Sequence, residues 1–349
     1  MLGRIDLVRA LARADIASVV VGERGDPIRH SRHVVGVISR QELFGVGAPA
    51  PLFYDSDAAL QFVSREREAL TAAGFRFVVP AAGLVDELLD KGRFQELAGR
   101  LELPVPRSVR LAAEAVSELR FPVVVKATPY RDGRWESVAS SSKVLRVEDA
   151  DGLRAVAERV AAAGIEAIAQ ELIPGGEERI ESHHVYVDED GHVAGEFTGR
   201  KIRTAPREFG MTTSLEITDD PELAALGREV VARLGLRGVA KLDFKRAPDG
   251  RLHLLEVNPR FTLWVHAGAV AGVNIPAIVH ADLSGRPRPP TGPARPGVRW
   301  IWPSADAAAA RERGIPLRSW LAWALRSETN SSFALSDPMP YVMGRLQRR

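Results

Sequence analysis

Between Lys241 and Asn258 two runs of alternating apolar and polar residues are separated by Asp249-Gly250. Asp-Gly between such runs predicts a β-hairpin. A turn symmetric about that pair sets Asp243 opposite Glu256 and Lys241 opposite Asn258, and the period of two puts all four side chains on one face. Facing carboxylates, with Cβ atoms about 5 Å apart, repel each other unless a cation lies between them. Oxygen donors from Asp, Glu and Asn suit a hard divalent ion, magnesium or manganese. The same charge is balanced without a metal if Lys241 reaches the pair diagonally, and the residues alone leave both readings open. A one-residue asymmetry in the turn would destroy the facing arrangement.

The 349 residues, 45% hydrophobic and 26% charged, imply two or three domains around a substantial core. A formal net charge of +2 is too slight to draw in nucleic acid or an anionic membrane. The arginines are spread among acids instead of forming a cationic face, so a nucleic-acid-binding module is not expected. The absence of cysteine excludes disulfides, zinc ribbons, iron–sulfur clusters and thiol nucleophiles, and fits a reducing, cytoplasmic location. Val19 to Val21 is far too short an apolar run to span a bilayer, and Asp6 and Asp15 interrupt the early arginines, so neither signal peptide nor membrane anchor is expected.

Helical spacing over Ile5 to Ala14, β-like runs at Ser18 to Val21 and Val34 to Ile38, a helix from Ser56 to Ala73, a strand Phe75 to Val79 and a helix Leu84 to Leu89 alternate as in a parallel, Rossmann-like unit spanning residues 1–87. Its usual first strand is missing, because the chain opens in a helix. A helix over Lys91 to Leu101 follows, then strands at Pro122 to Ala127 and Ile168 to Leu172 around a helix Glu148 to Ala163. A strand-rich stretch Ile180 to Ile217, a helix Asp220 to Leu234 and the hairpin complete the body. Five prolines between Gly285 and Gly297 mark a semi-extended linker. The tail beyond it carries Trp300, Trp302, Trp320 and Trp323, expected to pack onto the body.

Only six of the 47 basic residues are lysine, at positions 91, 126, 143, 201, 241 and 245. In an arginine-rich chain, a retained lysine marks a place that wants a compact ammonium. Lys126 ends a buried-looking strand beside the polar loop Thr128 to Ser142, a possible phosphate grip or simply a solvated strand end. Gln170 to Glu178 stops a strand at a glycine-rich turn with surface acids. Gly45 to Ala50 mimics a dinucleotide fingerprint, but its proline forbids the helix that must follow. His183-His184 fit alternate faces of a strand better than a metal site. No Walker loop and no serine-hydrolase elbow is present.

Taken in order, these pieces resemble the ATP-grasp superfamily of ATP-dependent carboxylate ligases over about residues 88–283. Within it they are most similar to the carboxylate-amine ligases near D-aspartate ligase, and more distantly to biotin carboxylase and carbamoyl phosphate synthase. The resemblance rests on Asp243 with Glu256-Val257-Asn258-Pro259-Arg260, and on the order of the lysines and the turn before it. It implies an α/β (α+β) fold: an ATP-grasp domain at 88–283, preceded by the trimmed Rossmann-like domain at 1–87 and followed by a linker and short C-terminal extension at 284–349.

The same resemblance implies that Lys91 and Lys126 contact ATP phosphates beneath a loop at Ser141. Glu171, Leu172 and Ile173 form the adenine hinge, and Glu177, with Glu178 as the neighbouring choice, holds the ribose. Asp243, Glu256 and Asn258 bind Mg²⁺ or Mn²⁺, Arg260 stabilises developing charge on the acyl phosphate or its adduct, and Lys201 contacts phosphate or substrate. The loop Ala139 to Ser142 is poorer in glycine than the family pattern. Phe261, Thr262, Trp264 and His266 wall an acceptor site or pack beneath the sheet. The implied reaction activates a small-molecule carboxylate as an acyl phosphate and joins it to an amine, with ADP released and a homodimer as the possible assembly. The alternatives are a bicarbonate-activating carboxylase and an inactive ATP-binding regulatory protein.

Overall fold

The β-branched runs Ser18–Val21 (β1) and Val34–Ile38 (β2) pair in parallel, as do the shorter Ala50–Pro51 (β3) and Phe75–Arg76 (β4). The computed structural model describes residues 4–111, 119–128, 133–140 and 142–347. Parallel pairing agrees with the expected α/β alternation. The two pairs, however, are separate two-stranded ladders, not one Rossmann-like sheet. Two strands cannot stand alone in water, and Leu60, Leu70 and Phe75 are instead buried in a core shared with Trp264 and Trp300. The expected helix from Ser56 is broken at Glu66 into Asp57–Arg65 and Arg67–Ala72, and begins where the Ser56 hydroxyl accepts the Ala59 N–H.

Ser108–Arg110 (β5), Val123–Thr128 (β6), Leu145–Val147 (β7) and Glu166–Glu171 (β8) form an antiparallel sheet in the order β5-β8-β6-β7. Val123, Val125 and Ala127 pack on Leu153, Val156 and Val160 of the helix Ala150–Ala162. Alternation turns Val124, Lys126, Ile168 and Gln170 to the opposite face. Lys126 lies inside β6, not at its end, because the strand continues to Thr128.

Ile180–Val187 (β9), Val193–Ala205 (β10), Met211–Thr218 (β11), Gly238–Arg246 (β12), Leu252–Asn258 (β13), Arg299–Ile301 (β14) and Thr329–Asn330 (β15) make the central sheet, in the order β13-β12-β9-β10-β11-β14-β15. All its pairs are antiparallel except β14 with β15. On one face Val185, Leu242 and Phe244 meet Phe94 and Leu97 of the helix Lys91–Arg100 and Val230 of the helix Pro221–Arg233. On the other, Phe197, Leu215 and Ile217 pack with Trp264 and the helices Arg4–Ala12 and Ile275–Leu283. His183 and His184 do occupy alternate faces. His183 bonds Glu196 at 2.9 Å, and His184 stacks on Phe197 with ring centroids 4.4 Å apart.

The β12–β13 hairpin reaches its expected register by an unexpected route. Lys241 faces Asn258 and Asp243 faces Glu256, but nearer the turn Phe244 faces Leu254 and Lys245 faces His253. Ala247 N–H donates to Arg251 O at 2.8 Å, so the turn is asymmetric by one residue and closes with Gly250 at φ 91°. A bulge at Leu255 absorbs the extra residue. It restores the facing arrangement and turns Glu256 and Asn258 to the face of Lys241 and Asp243.

The tail is not a peripheral appendage, since β14 and β15 extend the central sheet. Trp300 is fully buried and donates its indole N–H to Asp6 at 2.8 Å. Asp306, also fully buried, takes both prongs of the Arg203 guanidinium at 2.8 and 2.7 Å, the Thr213 hydroxyl at 2.8 Å and the Trp320 indole at 2.9 Å. Among the described residues no helix is long and apolar enough to cross a membrane.

Asp306→Ala leaves the buried Arg203 charge uncompensated and is expected to cost about 3–5 kcal/mol of stability. Pairing it with Arg203→Met should recover much of that loss. Urea denaturation of the single and double variants checks both, and equal losses would contradict the assignment.

Candidate active site

A cavity of about 520 Å³ lies between the four-stranded sheet and the central sheet. All six lysines of the chain line it, while Arg260 is the sole arginine among its described lining residues. That concentration cannot be chance packing, because like charges brought together in a partly dry cleft repel unless anions answer them.

Part of the answer comes from the central sheet. Asp243, 2% exposed, accepts from Lys241 Nζ at 2.6 Å and from the Ser182 hydroxyl, with Lys201 Nζ at 3.8 Å. Lys241 also lies 5.4 Å from the Trp264 ring centroid. Across the hairpin Asn258 Nδ2 donates to Glu256 Oε1 at 2.9 Å, and Arg260 Nη2 donates to Asn258 Oδ1 at 3.3 Å. Arg260 Nε reaches Asp57 Oδ1 at 2.5 Å, tying the sheet to the helix Asp57–Arg65. On the opposite wall Lys126 Nζ donates to Gln170 Oε1 at 2.8 Å.

Residues 192–304 match the family described as "ATP-grasp in the biosynthetic pathway with Ter operon". D-aspartate ligase of Enterococcus faecium is 24% identical over 241 residues, 65% of this chain and 56% of the relative. A D-alanine–D-alanine ligase of Halorhodospira halophila is 30% identical over 213 residues, 55% of this chain and 64% of the relative. The chain thus spans less than two thirds of the length of these curated relatives. In solved structures the fold recurs in the ADP complex of N5-carboxyaminoimidazole ribonucleotide synthetase, with TM-score 0.65, 15% identity and coverage of 89% of this chain and 82% of that one. It recurs again in biotin carboxylase from Campylobacter jejuni, with TM-score 0.63, 16% identity and coverage of 84% and 71%. The chain has an ATP-grasp fold.

The ATP-grasp cavity collects Lys91, Lys126, Glu171, Leu172, Ile173, Glu177, Lys201, Asp243, Glu256, Asn258 and Arg260 from the sequence reading. Ser141 lies outside the described residues. Glu178 is exposed and does not line the cavity, because its carboxylate folds back over Gly176, within 3 Å of where a Cβ would stand there. The Glu171 side chain is spent on the Arg120 N–H at 3.0 Å, and the Leu172 N–H on Pro122 O at 3.0 Å. Thr262 and Trp264 line the cavity, but Phe261 does not. It is buried against Phe53 and Tyr54, at 5.4 and 6.3 Å between centroids. His266 likewise stands outside the lining.

The motif reading passed over Asp57, Gln170 and Ser182, which reach the site by tertiary contact, and Lys143 and Lys245. The rarity of lysine was the signal that marked those last two. A second, more open depression involves Arg67 and Arg237, but both guanidiniums already hold backbone carbonyls, Pro80 O and Glu189 O, at 3.0 Å.

Burial depresses the Lys126 ammonium to about 8, helped by Lys91 and opposed by Glu256. Lys91 is lowered chiefly by burial as well. Lys201 suffers the same desolvation, but Asp243, Glu256 and Glu177 outweigh it and leave it raised. Burial would lift Asp243, yet Lys241 and Lys201 hold it below the usual carboxylate range. Glu177 moves the other way, raised by burial against the pull of Lys201 and Lys245.

An amine is acylated only when deprotonated, so Lys126 should become reactive as pH rises through about 8, while Lys201 stays protonated past the ordinary lysine range. Competitive acetylation read by peptide mass spectrometry at pH 6–11 checks this. A Lys126 midpoint at or above that of Lys201 would contradict the charge balance described.

Proposed function

We propose that the chain is an ATP-dependent, ADP-forming ligase that joins a small-molecule carboxylate to an amine. The observation that carries the reading is the opposition, across one cavity, of six ammonium groups and Arg260 to the oxygen donors Asp243, Glu256 and Asn258. Triphosphate is the polyanion that such a cleft answers. The curated relatives, ligases by name, support the same class, and their names make D-amino acids the first carboxylates to try.

A substrate carboxylate oxygen attacks the γ-phosphorus, the bond to the β-phosphate bridging oxygen breaks, and ADP leaves. The amine nitrogen then attacks the acyl carbon, inorganic phosphate departs, and the nitrogen loses a proton. Both steps need charge neutralisation and in-line positioning far more than an acid or base. Lys91 and Lys126 supply cations from one wall, and Lys201, Lys241 and Arg260 from the other. Thr262 and Trp264, after the hairpin, offer the acceptor side a partly apolar wall that excludes water.

Magnesium fits the donor set: Glu256 and Asn258 are already in contact, Asp243 faces Glu256 in register, and all three offer oxygen. These residues would hold the ion, which neutralises phosphate charge when bound. Lys241 already holds Asp243 at 2.6 Å, so an ion bound there would share that carboxylate with the ammonium.

ADP and phosphate release from ATP and Mg²⁺, measured across amino acids, dipeptides and other carboxylates with an amine or bicarbonate, tests the proposal. The expected result is release that needs both carboxylate and amine and falls by about 100-fold or more in Glu256→Ala. Release driven by bicarbonate would replace the ligase with a carboxylase, and ATP binding without turnover on any pair would favour a regulatory protein.

A further inference from the structure

The turn at residues 206–210 joins β10 to β11 and reaches beyond its own sheet. Its Phe209 and Gly210 line the cavity, and its Glu208 meets Arg146 of β7, in the four-stranded sheet, at 3.7 Å. The turn thus bridges the two walls at one end of the cleft. Among the described residues no backbone hydrogen bond forms within it, since the β10–β11 ladder ends at the pair Ala205 and Met211. Phe209 has φ 57°, a left-handed conformation that an aromatic residue adopts only where its surroundings impose it. A Cβ on Gly210 would stand 2.0 Å from Pro206 O, so the chain is wound tightly on itself. The Arg146–Glu208 pair is exposed and too screened to fix such a backbone.

The hold comes from the tail. Arg313, directly after the helix Pro303–Glu312, donates from Nη1 to Thr204 O at 3.0 Å, and from Nη2 to Thr204 Oγ1 at 3.2 Å and Arg207 O at 3.3 Å. The Thr204 hydroxyl in turn donates to Arg207 O at 2.9 Å. Arg313 also donates to Ala309 O at 3.2 Å, so among the described residues its side-chain hydrogen bonds all go to the root of this turn or to its own helix. Earlier in the same helix Asp306 holds Arg203 and Thr213, one on each strand that flanks the turn. A rigid planar fork spans two carbonyls and a hydroxyl at once, which an ammonium on a flexible stem does not.

We propose that Arg313 is a positioning residue: from the C-terminal tail it fixes the turn at residues 206–210 against the cavity, and so keeps Phe209 and Gly210 in the wall that a bound ligand meets. Which ligand fills the cavity rests on the ligase reading above; the hold on the turn does not. The Phe209 N–H faces the Glu177 carboxylate, so a turn that came loose would also release a carboxylate of the cavity.

Trypsin cleaves after an arginine once the local backbone opens, and Arg207 is exposed within the turn, so nicking there reports how firmly the turn is held. Nicking after Arg207, read by mass spectrometry, and binding of ATP with Mg²⁺, read by calorimetry, are measured on the full chain and on Arg313→Lys, Arg313→Met and Arg318→Met, with thermal melts confirming the fold of each. Arg318, exposed on the helix Leu317–Ala324, has no hydrogen bond to the turn among the described residues and serves as the control for lost charge. Both Arg313 variants should be nicked about tenfold faster and bind ATP about tenfold more weakly than the native chain, the effect of one lost charge-assisted hydrogen bond, whereas Arg318→Met should match it. A role confined to stability would lower the melting temperature and leave the ATP affinity of the folded chain unchanged. Native nicking in both folded Arg313 variants would overturn the assignment, and so would faster nicking with unchanged ATP affinity. If the folded native chain bound no ATP, the ligase reading would fall, and nicking alone would decide whether Arg313 holds the turn.

Discussion

Asp243 is buried on the central sheet beneath two ammonium groups, Lys241 at 2.6 Å and Lys201 at 3.8 Å, and the rest of the cavity is arranged around that contact. Isolated, any of the three charges would be expensive to bury. Together they leave one positive charge in excess, which Glu256 and Glu177 answer through Lys201. Lys91, Lys126, Lys143, Lys245 and Arg260 complete the cations of the described lining, and Asp55, Asp57, Glu171, Glu177 and Glu256 its carboxylates. The cleft therefore sets cations on both of its walls, among carboxylates that nearly balance them.

Two features keep this charge where it is. The bulge at Leu255 decides which way Glu256 and Asn258 point; without it the carboxylate and the amide would turn into the apolar layer that holds Leu252, Leu254 and Val257. The Asp306–Arg203 pair, sealed by Thr213 and Trp320, then ties the tail to the far half of β10, the strand that carries Lys201. Arg313 adds to this by donating to Thr204 O at 3.0 Å and Arg207 O at 3.3 Å, beside the segment Phe209 to Thr212 that borders the cavity. The tail thus braces one wall of the cleft. This is also why Trp300 is wholly buried while Trp320 and Trp323 are only partly so: one fills the core under the sheet, and the others cover the polar brace.

The N-terminal region contributes differently. Its strands are too few to form a sheet of their own, so its hydrophobic residues complete a core begun by the central sheet and by the helix Ile275–Leu283. One polar contact from this region, Asp57 to Arg260, reaches the cavity and joins two parts of the chain that are far apart in sequence.

Local pattern determined a good deal here. Alternation and the Asp249-Gly250 turn identified the hairpin, helical spacing placed the helices that follow Lys91 and Asp220, and the scarcity of lysine pointed at the cleft before any wall of it was known. These properties depend on a residue and its near neighbours, which is why they are legible in one dimension. Tertiary structure decided the rest. The asymmetric turn and its compensating bulge are backbone choices settled by which side chains the apolar layer accepts. The parting of the first strands into two ladders, the recruitment of β14 and β15 to the central sheet, and the turning of Glu178 away from the cavity depend on partners tens or hundreds of residues distant. Gln170 shows the division most clearly: its sequence neighbourhood reads as an ordinary strand end, and only the ammonium of Lys126 across the ladder orients its amide oxygen.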